Sequence, residues 1–228
     1  MIILNGVSKL YGSGGGEIRA VDDVSLEVKE GEFLVLIGHS GSGKTTLLNL
    51  IAGMTRPDTG RIEIAGRDIL GMSDAETAHM RASVIGFVFQ FQSMISTLNA
   101  LDNVRLPSLF RRHRSEKKEA FEMLDRVGLA GREHAYAHEL SLGQQRRVGI
   151  ARALFSRPSL LLCDEPTGDL DPETELAIMG LISGANRDGA TIVMATHNHD
   201  LCSYANRILC MDHGRISSVE PGTEHAIK

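Results

Sequence analysis

Several short stretches of this chain carry groups suited to moving a phosphoryl group. The first is GHSGSGKTT, Gly38 to Thr46. An apolar run from Phe33 to Ile37 precedes it and an apolar-periodic segment follows. Between a strand and a helix, the pattern G-x-x-x-x-G-K-[ST] makes a phosphate-binding loop. Its glycines, Gly38, Gly41 and Gly43, let successive backbone N–H groups turn inward around phosphate oxygens, and the helix that follows adds the positive end of its dipole. Lys44 can then reach the terminal phosphates and the Thr45 hydroxyl can ligate Mg²⁺. Ser40, Ser42 and Thr46 complete the loop. His39 occupies a variable position of the pattern and is expected to face solvent.

A second stretch, LLLCDEP from Leu160 to Pro166, ends an apolar strand in two acids. Asp164 then stands at the mouth of a buried strand, where a carboxylate can bind Mg²⁺ directly or through its water. Glu165 points differently and is free to act on an attacking water. Bulk water is a poor nucleophile, and a carboxylate that orients it and accepts its proton supplies general-base help. His197, just past the apolar run 190–195, can donate to a γ-phosphate oxygen, or simply cap the strand. Gln90 ends another strand, where a neutral amide can touch Mg²⁺ or the lytic water, or serve only as a polar strand end. Tyr11 precedes a Gly-rich stretch; its ring can stack on a base or pack locally.

The segment HELSLGQQRRVGIARAL, residues 138–154, reads as a turn and then a helix starting near Ser141. Val148, Ala151, Leu154 and Phe155 fit one buried face, and Arg146, Arg147 and Arg152 fall largely elsewhere. Ser141 and Gly143, with Gln144 beside them, put a second anion site at a helix start. One chain needs only one phosphate site. The second makes sense when two chains pair head to tail, each helix start closing the other's nucleotide.

The elements that must hold these groups can be outlined. Residues 2–8 and 24–30 read as short strands joined through a flexible turn, GSGGGE at 12–17. A helix spans 46–53, and RIEIAGRDI alternates like one half-buried strand. Ser73 and Glu76 have the spacing of a capping box, and Val84 to Gln90 reads as another apolar strand. Helical periodicity runs over 97–156, broken at Pro107, at Gly128 and around 138–143, with a charged patch RRHRSEKKE between the first two helices. Strands are expected at 159–163, 190–195, 207–211 and 215–219, and a helix at 173–187. Short continuous apolar runs are what parallel strands buried on both faces look like. The outline is an α/β core, residues 1–90 and 157–228, with a small antiparallel sheet and a helical insertion at 91–156.

A chain of 228 residues can bury a sizeable core as one domain. Its net charge of −5 argues against a broad nucleic-acid surface. No apolar run reaches the length that crosses a bilayer, and the start, MIILNGVSKLYG, lacks the features of a secretory signal. Cys163, Cys202 and Cys210 form no C-x-x-C pair and read as small buried residues of a reducing compartment. The expected location is the cytoplasm, with any membrane met through a partner.

Taken in order, these residues resemble the nucleotide-binding subunit of ABC transporters across nearly the whole chain. The resemblance runs through Tyr11 as the adenine-stacking aromatic, GHSGSGKTT, Gln90 at the Q-loop, LSLGQQRR (140–147) as the signature, LLLCDEP, GDLD (168–171) as the D-loop and His197 as the switch histidine. It implies a P-loop NTPase ABC ATPase fold: a mostly parallel RecA-like core sheet, an antiparallel β-subdomain and an inserted helical subdomain. It also implies ATP and Mg²⁺ as ligands, with Thr45, Gln90 and Asp164 toward the metal. In the ATP-bound state a homodimer is expected, with an integral-membrane permease docking near 91–110 and no nucleic acid. The subunit would lie peripherally on the inner face of the membrane. Within the family, GSGGGEIRAVDDVSL, IGFVFQFQ and the D-loop look most like the lipoprotein-releasing and macrolide-export group. A regulator of a membrane complex that moves no substrate is the alternative, followed by a soluble ATPase of translation or DNA repair. Leu142 in place of the usual signature glycine, and Asp169 where this group often has asparagine, depart from the pattern.

Overall fold

The computed structural model describes residues 1–13, 16–90, 94–110, 117–168 and 170–221. Its chain divides into two compact units, residues 1–78 with 191–228, and residues 79–190.

The first unit contains two groups of strands. One is antiparallel, in the order β2 (Gly16–Val28), β1 (Ile2–Ser13), β4 (Thr59–Ile64) and β5 (Arg67–Asp68). β1 and β2 are longer than the sequence suggests, because Tyr11, Gly12 and Ser13 pair with Ile18, Glu17 and Gly16. The turn expected at 12–17 is therefore strand at 12–13 and 16–17, and residues 14–15 lie outside the described set. Three register shifts between Leu4 and Leu10 explain the misreading, since each bulge resets the in–out alternation that reveals a strand. The expected single strand over RIEIAGRDI is likewise two strands. Ala65 and Gly66 have φ of 50° and 73°, the left-handed pair that a tight hairpin turn requires.

The other group orders as β10 (Arg215–Pro221), β9 (Arg207–Asp212), β3 (Phe33–Ile37) and β8 (Thr191–Thr196). β3 is parallel to both β8 and β9, while β10 returns antiparallel to β9. All five residues of β3 are buried, which removes each large apolar side chain from water at a gain of about 1.5–3 kcal/mol. That rigid strand delivers the chain into the phosphate loop and on into α1 (Lys44–Ile51).

The second unit pairs β6 (Ile85–Val88) parallel to β7 (Leu160–Asp164). Its helices are α3 (Ala100–Arg105), α4 (Lys117–Arg126), α5 (Leu142–Phe155) and α6 (Pro172–Arg187). α2 (Asp74–Val84) precedes β6, and its start carries the Ser73–Glu76 reciprocal bonds that the spacing predicts. Asp171 accepts from Thr174 N–H to cap α6, with Pro172 at the first helical position. Pro107 falls in a 3₁₀ turn, Leu106–Phe110, where its missing N–H costs little. Among the described residues, no helix is long and apolar enough to cross a membrane.

Candidate functional site

The phosphate loop is built by close backbone approaches. A side-chain carbon on Gly38 would collide with the Met211 carbonyl, and one on Gly43 with the Ala20 carbonyl. Gly43 also has φ 107°, outside the range of ordinary residues. The β9–β10 turn is tied to the loop directly, Gly214 N–H donating to the Ser42 carbonyl at 2.9 Å. β2 holds the far side of that turn: Asp22 N–H donates to the Gly214 carbonyl at 2.9 Å, and the Asp22 carboxylate takes Arg215 at 2.7 Å.

Inside this frame Lys44 is only 7% exposed. Its ammonium donates to the carbonyls of Gly38 at 2.6 Å and His39 at 3.1 Å, arching over the loop. α1 begins without a side-chain cap and without an acid in its first turn, so its leading N–H groups and dipole are available to an anion. The buried Ser42 hydroxyl has no hydrogen-bond partner among the described residues. A buried cation, an uncapped helix start and that hydroxyl fit the phosphates of a nucleotide. Thr45 is exposed, which suits a hydroxyl ligand to Mg²⁺. Tyr11 is 42% exposed, with Lys9 Nζ over its ring at 5.7 Å from the centre.

His39 is exposed, as its place in the pattern predicts, yet it is not idle. Nδ1 lies 2.7 Å from the Ser40 carbonyl and Nε2 lies 2.7 Å from Asp212 Oδ1. Both neighbours are acceptors, so both ring nitrogens donate and the imidazolium is favoured. The Ser40 bond, then the Asp212 bond, raise its pKa above the ordinary histidine value. Asp212 is lowered in turn, chiefly by the same hydrogen bond. His197 follows β8 and is exposed, and Asn198 N–H behind it donates to Thr196 Oγ1 at 3.0 Å.

In the second unit, Asp164 ends β7 at 3% exposure. Glu165 then adopts φ 48°, a left-handed conformation unusual for a side-chain-bearing residue. That turn takes Glu165 off the strand direction. Strain of this kind concentrates at functional positions. Ser141 caps α5 through a complete box: its Oγ accepts from Gln144 N–H at 3.3 Å, and Gln144 Oε1 accepts from Ser141 N–H at 2.9 Å. A side-chain carbon on Gly143 would meet the Leu170 side chain at 3.4 Å. Leu142, beside Ser141, is 64% exposed. Asp169 lies outside the described residues.

Three supporting residues escape a reading of the sequence alone. Arg146 falls off the buried face of α5, yet its guanidinium donates to the Gln90 carbonyl at 2.8 Å. Its Nη1 also lies 3.0 Å from where a side-chain carbon on Gly168 would sit. β6 stops at Val88, so Gln90 stands two residues beyond the strand and does not end it as expected. Asn103, fully buried in α3, accepts from Ile95 N–H at 2.8 Å and faces the carbonyls of Ile95, Leu98 and Asn99 at 3.0–3.1 Å. A lone amide among Ala100, Leu101 and Val104 is the sequence signal that could have flagged it. Asp212, the partner of His39, is 173 residues away in sequence and leaves no local trace.

Comparison with known proteins places these features in a family. The ABC transporter family model matches residues 21–168. The lipoprotein-releasing system ATP-binding protein LolD of Chromohalobacter salexigens is 39% identical over 95% of this chain and 93% of its own length. The methionine import ATP-binding protein MetN of Geobacillus kaustophilus is 42% identical over 97% of this chain and 65% of its own. A solved dimeric ATP-binding cassette in a post-hydrolysis state, bound to ADP and Pi, superposes with a TM-score of 0.93 at 38% identity, covering 97% of this chain and 98% of that one. A releasing system and an importer match comparably well, so the likeness identifies the engine and not the cargo. The chain belongs to the ABC transporter family, as an ATP-binding, ATP-hydrolysing subunit with the P-loop cassette fold.

Proposed function

We propose that two copies of this chain close head to tail around ATP and hydrolyse it to drive a membrane permease. The transporter they serve is one of lipoprotein release or of macrolide- or lipid-type export. The observation that carries this reading is the end of β7, where buried Asp164 is followed by Glu165 turned away by a left-handed backbone. A site that only bound nucleotide would have no use for that second acid.

The roles follow from the chemistry of each group. Lys44 and the backbone from Gly38 to Thr46 hold the phosphates, and the ring of Tyr11 stacks on adenine. Thr45, Gln90 and Asp164 would hold Mg²⁺, which offsets phosphate charge when bound. Glu165 accepts the proton of the attacking water, and His197 donates to a γ-phosphate oxygen. Ser141, Gly143 and Gln144 close the partner chain's nucleotide. The Ser141 hydroxyl accepts from Gln144 N–H and can still donate its own proton outward, since a hydroxyl does both.

Residues 1–90 and 157–228 form the nucleotide-binding core in this reading, and 91–156 the helical subdomain. The permease docks near 91–110, where Ile95 and Leu109 are exposed at 40% and 75% while Leu101 is buried. Phe91 lies outside the described residues. The subunit is held peripherally at the inner face of the membrane through that partner, and no nucleic acid takes part.

Glu165→Gln tests the reading. It keeps shape and hydrogen bonding but cannot accept a proton. The variant should hydrolyse ATP very slowly and run as a dimer with ATP by size-exclusion chromatography and light scattering, because the closed state is no longer dispersed by cleavage. Ser141→Arg added to it should abolish the dimer. A monomeric E165Q–ATP complex overturns the head-to-tail closure, and near-normal turnover removes Glu165 as the base.

A further inference from the structure

The turn that fastens the phosphate loop brings a second histidine up to His39. Asp212 Oδ1 lies 2.7 Å from His39 Nε2 and 3.8 Å from His213 Nε2. The two rings meet edge to face, centres 5.7 Å apart. One ligand atom from each of His39, Asp212 and His213 lies within 4.8 Å of the other two, and all three residues are exposed. We propose that His39, Asp212 and His213 form a binding site for a divalent transition-metal cation of the zinc type, which clips the phosphate loop to the β9–β10 turn.

The donor set is right for that class. Two imidazoles and a carboxylate suit zinc, copper or nickel rather than Mg²⁺, which prefers oxygen alone. Bonds of about 2.0–2.1 Å at tetrahedral angles separate ligand atoms by roughly 3.3 Å. The two distances to Asp212 Oδ1 straddle that value, so small side-chain rotations bring the set onto a metal. The Ser40 carbonyl, 2.7 Å from His39 Nδ1, holds that nitrogen as a donor, and the cation takes the place of the Nε2 proton toward Asp212, releasing that proton to solvent. Hydrogen bonding of this kind orients metal-bound histidines.

The backbone beneath the ligands is already set. Gly214, next to His213, donates to the Ser42 carbonyl at 2.9 Å, and Gly38, next to His39, packs against the Met211 carbonyl with no room for a side chain. A cation therefore meets three ligands on a fixed frame, with a coordination position left for water. This site is separate from the Mg²⁺ role given to Thr45, Gln90 and Asp164. Cation binding is also measured without nucleotide, so its failure is distinct from a failure of the hydrolysis reading.

The experiment is calorimetric titration of Zn²⁺ into the nucleotide-free full chain in excess Mg²⁺, repeated with Co²⁺ followed by visible absorption. The variant is His213→Asn, because asparagine tolerates the left-handed backbone at that position, φ 43°. Asp212→Asn is the second variant should the first not fold. Wild type should take up one Zn²⁺ per chain and show an intense Co²⁺ d–d band. Either variant should bind at least about tenfold more weakly, since displaced supporting groups alone cost that much, and should lose the band. Unchanged affinity in the variants, or no uptake by wild type at micromolar Zn²⁺, overturns the site.

Discussion

Replacing Asn103 with alanine should loosen the stretch that follows Gln90 and measurably destabilise the fold. The Asn103 side chain accepts one bond from Ile95 N–H and offers its amide to the carbonyls of Ile95, Leu98 and Asn99. An NH₂ group carries two hydrogens, so those three carbonyls share two donors and the side chain makes three full bonds. At about 1 kcal/mol each the loss is about 3 kcal/mol. Water limits it, because Ile95 is 40% exposed and the freed backbone groups there can be rehydrated. Urea unfolding followed by circular dichroism should show a lower midpoint with an unchanged slope, and hydrogen exchange at the Ile95 amide should speed up. Asn103→Asp should be at least as damaging, since its carboxylate sets an oxygen against three carbonyl oxygens. A loss below about 1 kcal/mol, or unaltered protection at Ile95, refutes the idea that this amide holds the segment. Under the proposed docking at 91–110, the same variant should lower permease-stimulated hydrolysis more than basal hydrolysis.

Lys44→Ala should abolish productive ATP binding by calorimetry in Mg²⁺, because the terminal phosphates lose their main counter-charge; unchanged affinity would remove Lys44 from that role. Tyr11→Ala should weaken ATP and GTP binding alike, and Tyr11→Phe should be mild, since stacking uses the ring and not the hydroxyl. A large loss in Tyr11→Phe would point instead to a hydrogen bond. Burial, and then the neighbouring Asp164 charge, push the Cys163 thiol far above its ordinary pKa. At pH 8 it should therefore resist maleimide in the folded chain and react only on unfolding, while half-buried Cys202 and Cys210 label first.

What the sequence revealed were features whose determinants are local. The phosphate loop is one such feature, because strand, glycines and lysine fall within a dozen or so residues and their order is itself the geometry. The α5 start is legible because a turn gives way to helical periodicity near Ser141; the Ser141–Gln144 capping box that fixes it emerges only in the structure. β1 and β2 outrun their sequence signal because their bulges interrupt the alternation. The break at Ala65–Gly66 was missed because alanine is a rare host for a left-handed turn. Arg146, Asn103 and Asp212 act through contacts that only the fold creates. Arg146 looked like one of several solvated arginines, and nothing in the sequence near His39 announces the acid that holds it.

The fastening of the phosphate loop by the β9–β10 turn bears on how nucleotide enters and leaves. A loop already held at Ser42 and crowded at Gly38 and Gly43 has little conformational entropy to lose when a ligand arrives. Association then needs no folding of the loop, and its backbone greets ADP much as it greets ATP. Under the proposed roles, discrimination between substrate and product falls to side chains assigned to the third phosphate: Lys44, His197, Glu165 and a second chain's Ser141. Product release would be set by those groups letting go, with the loop itself unchanged from one turnover to the next.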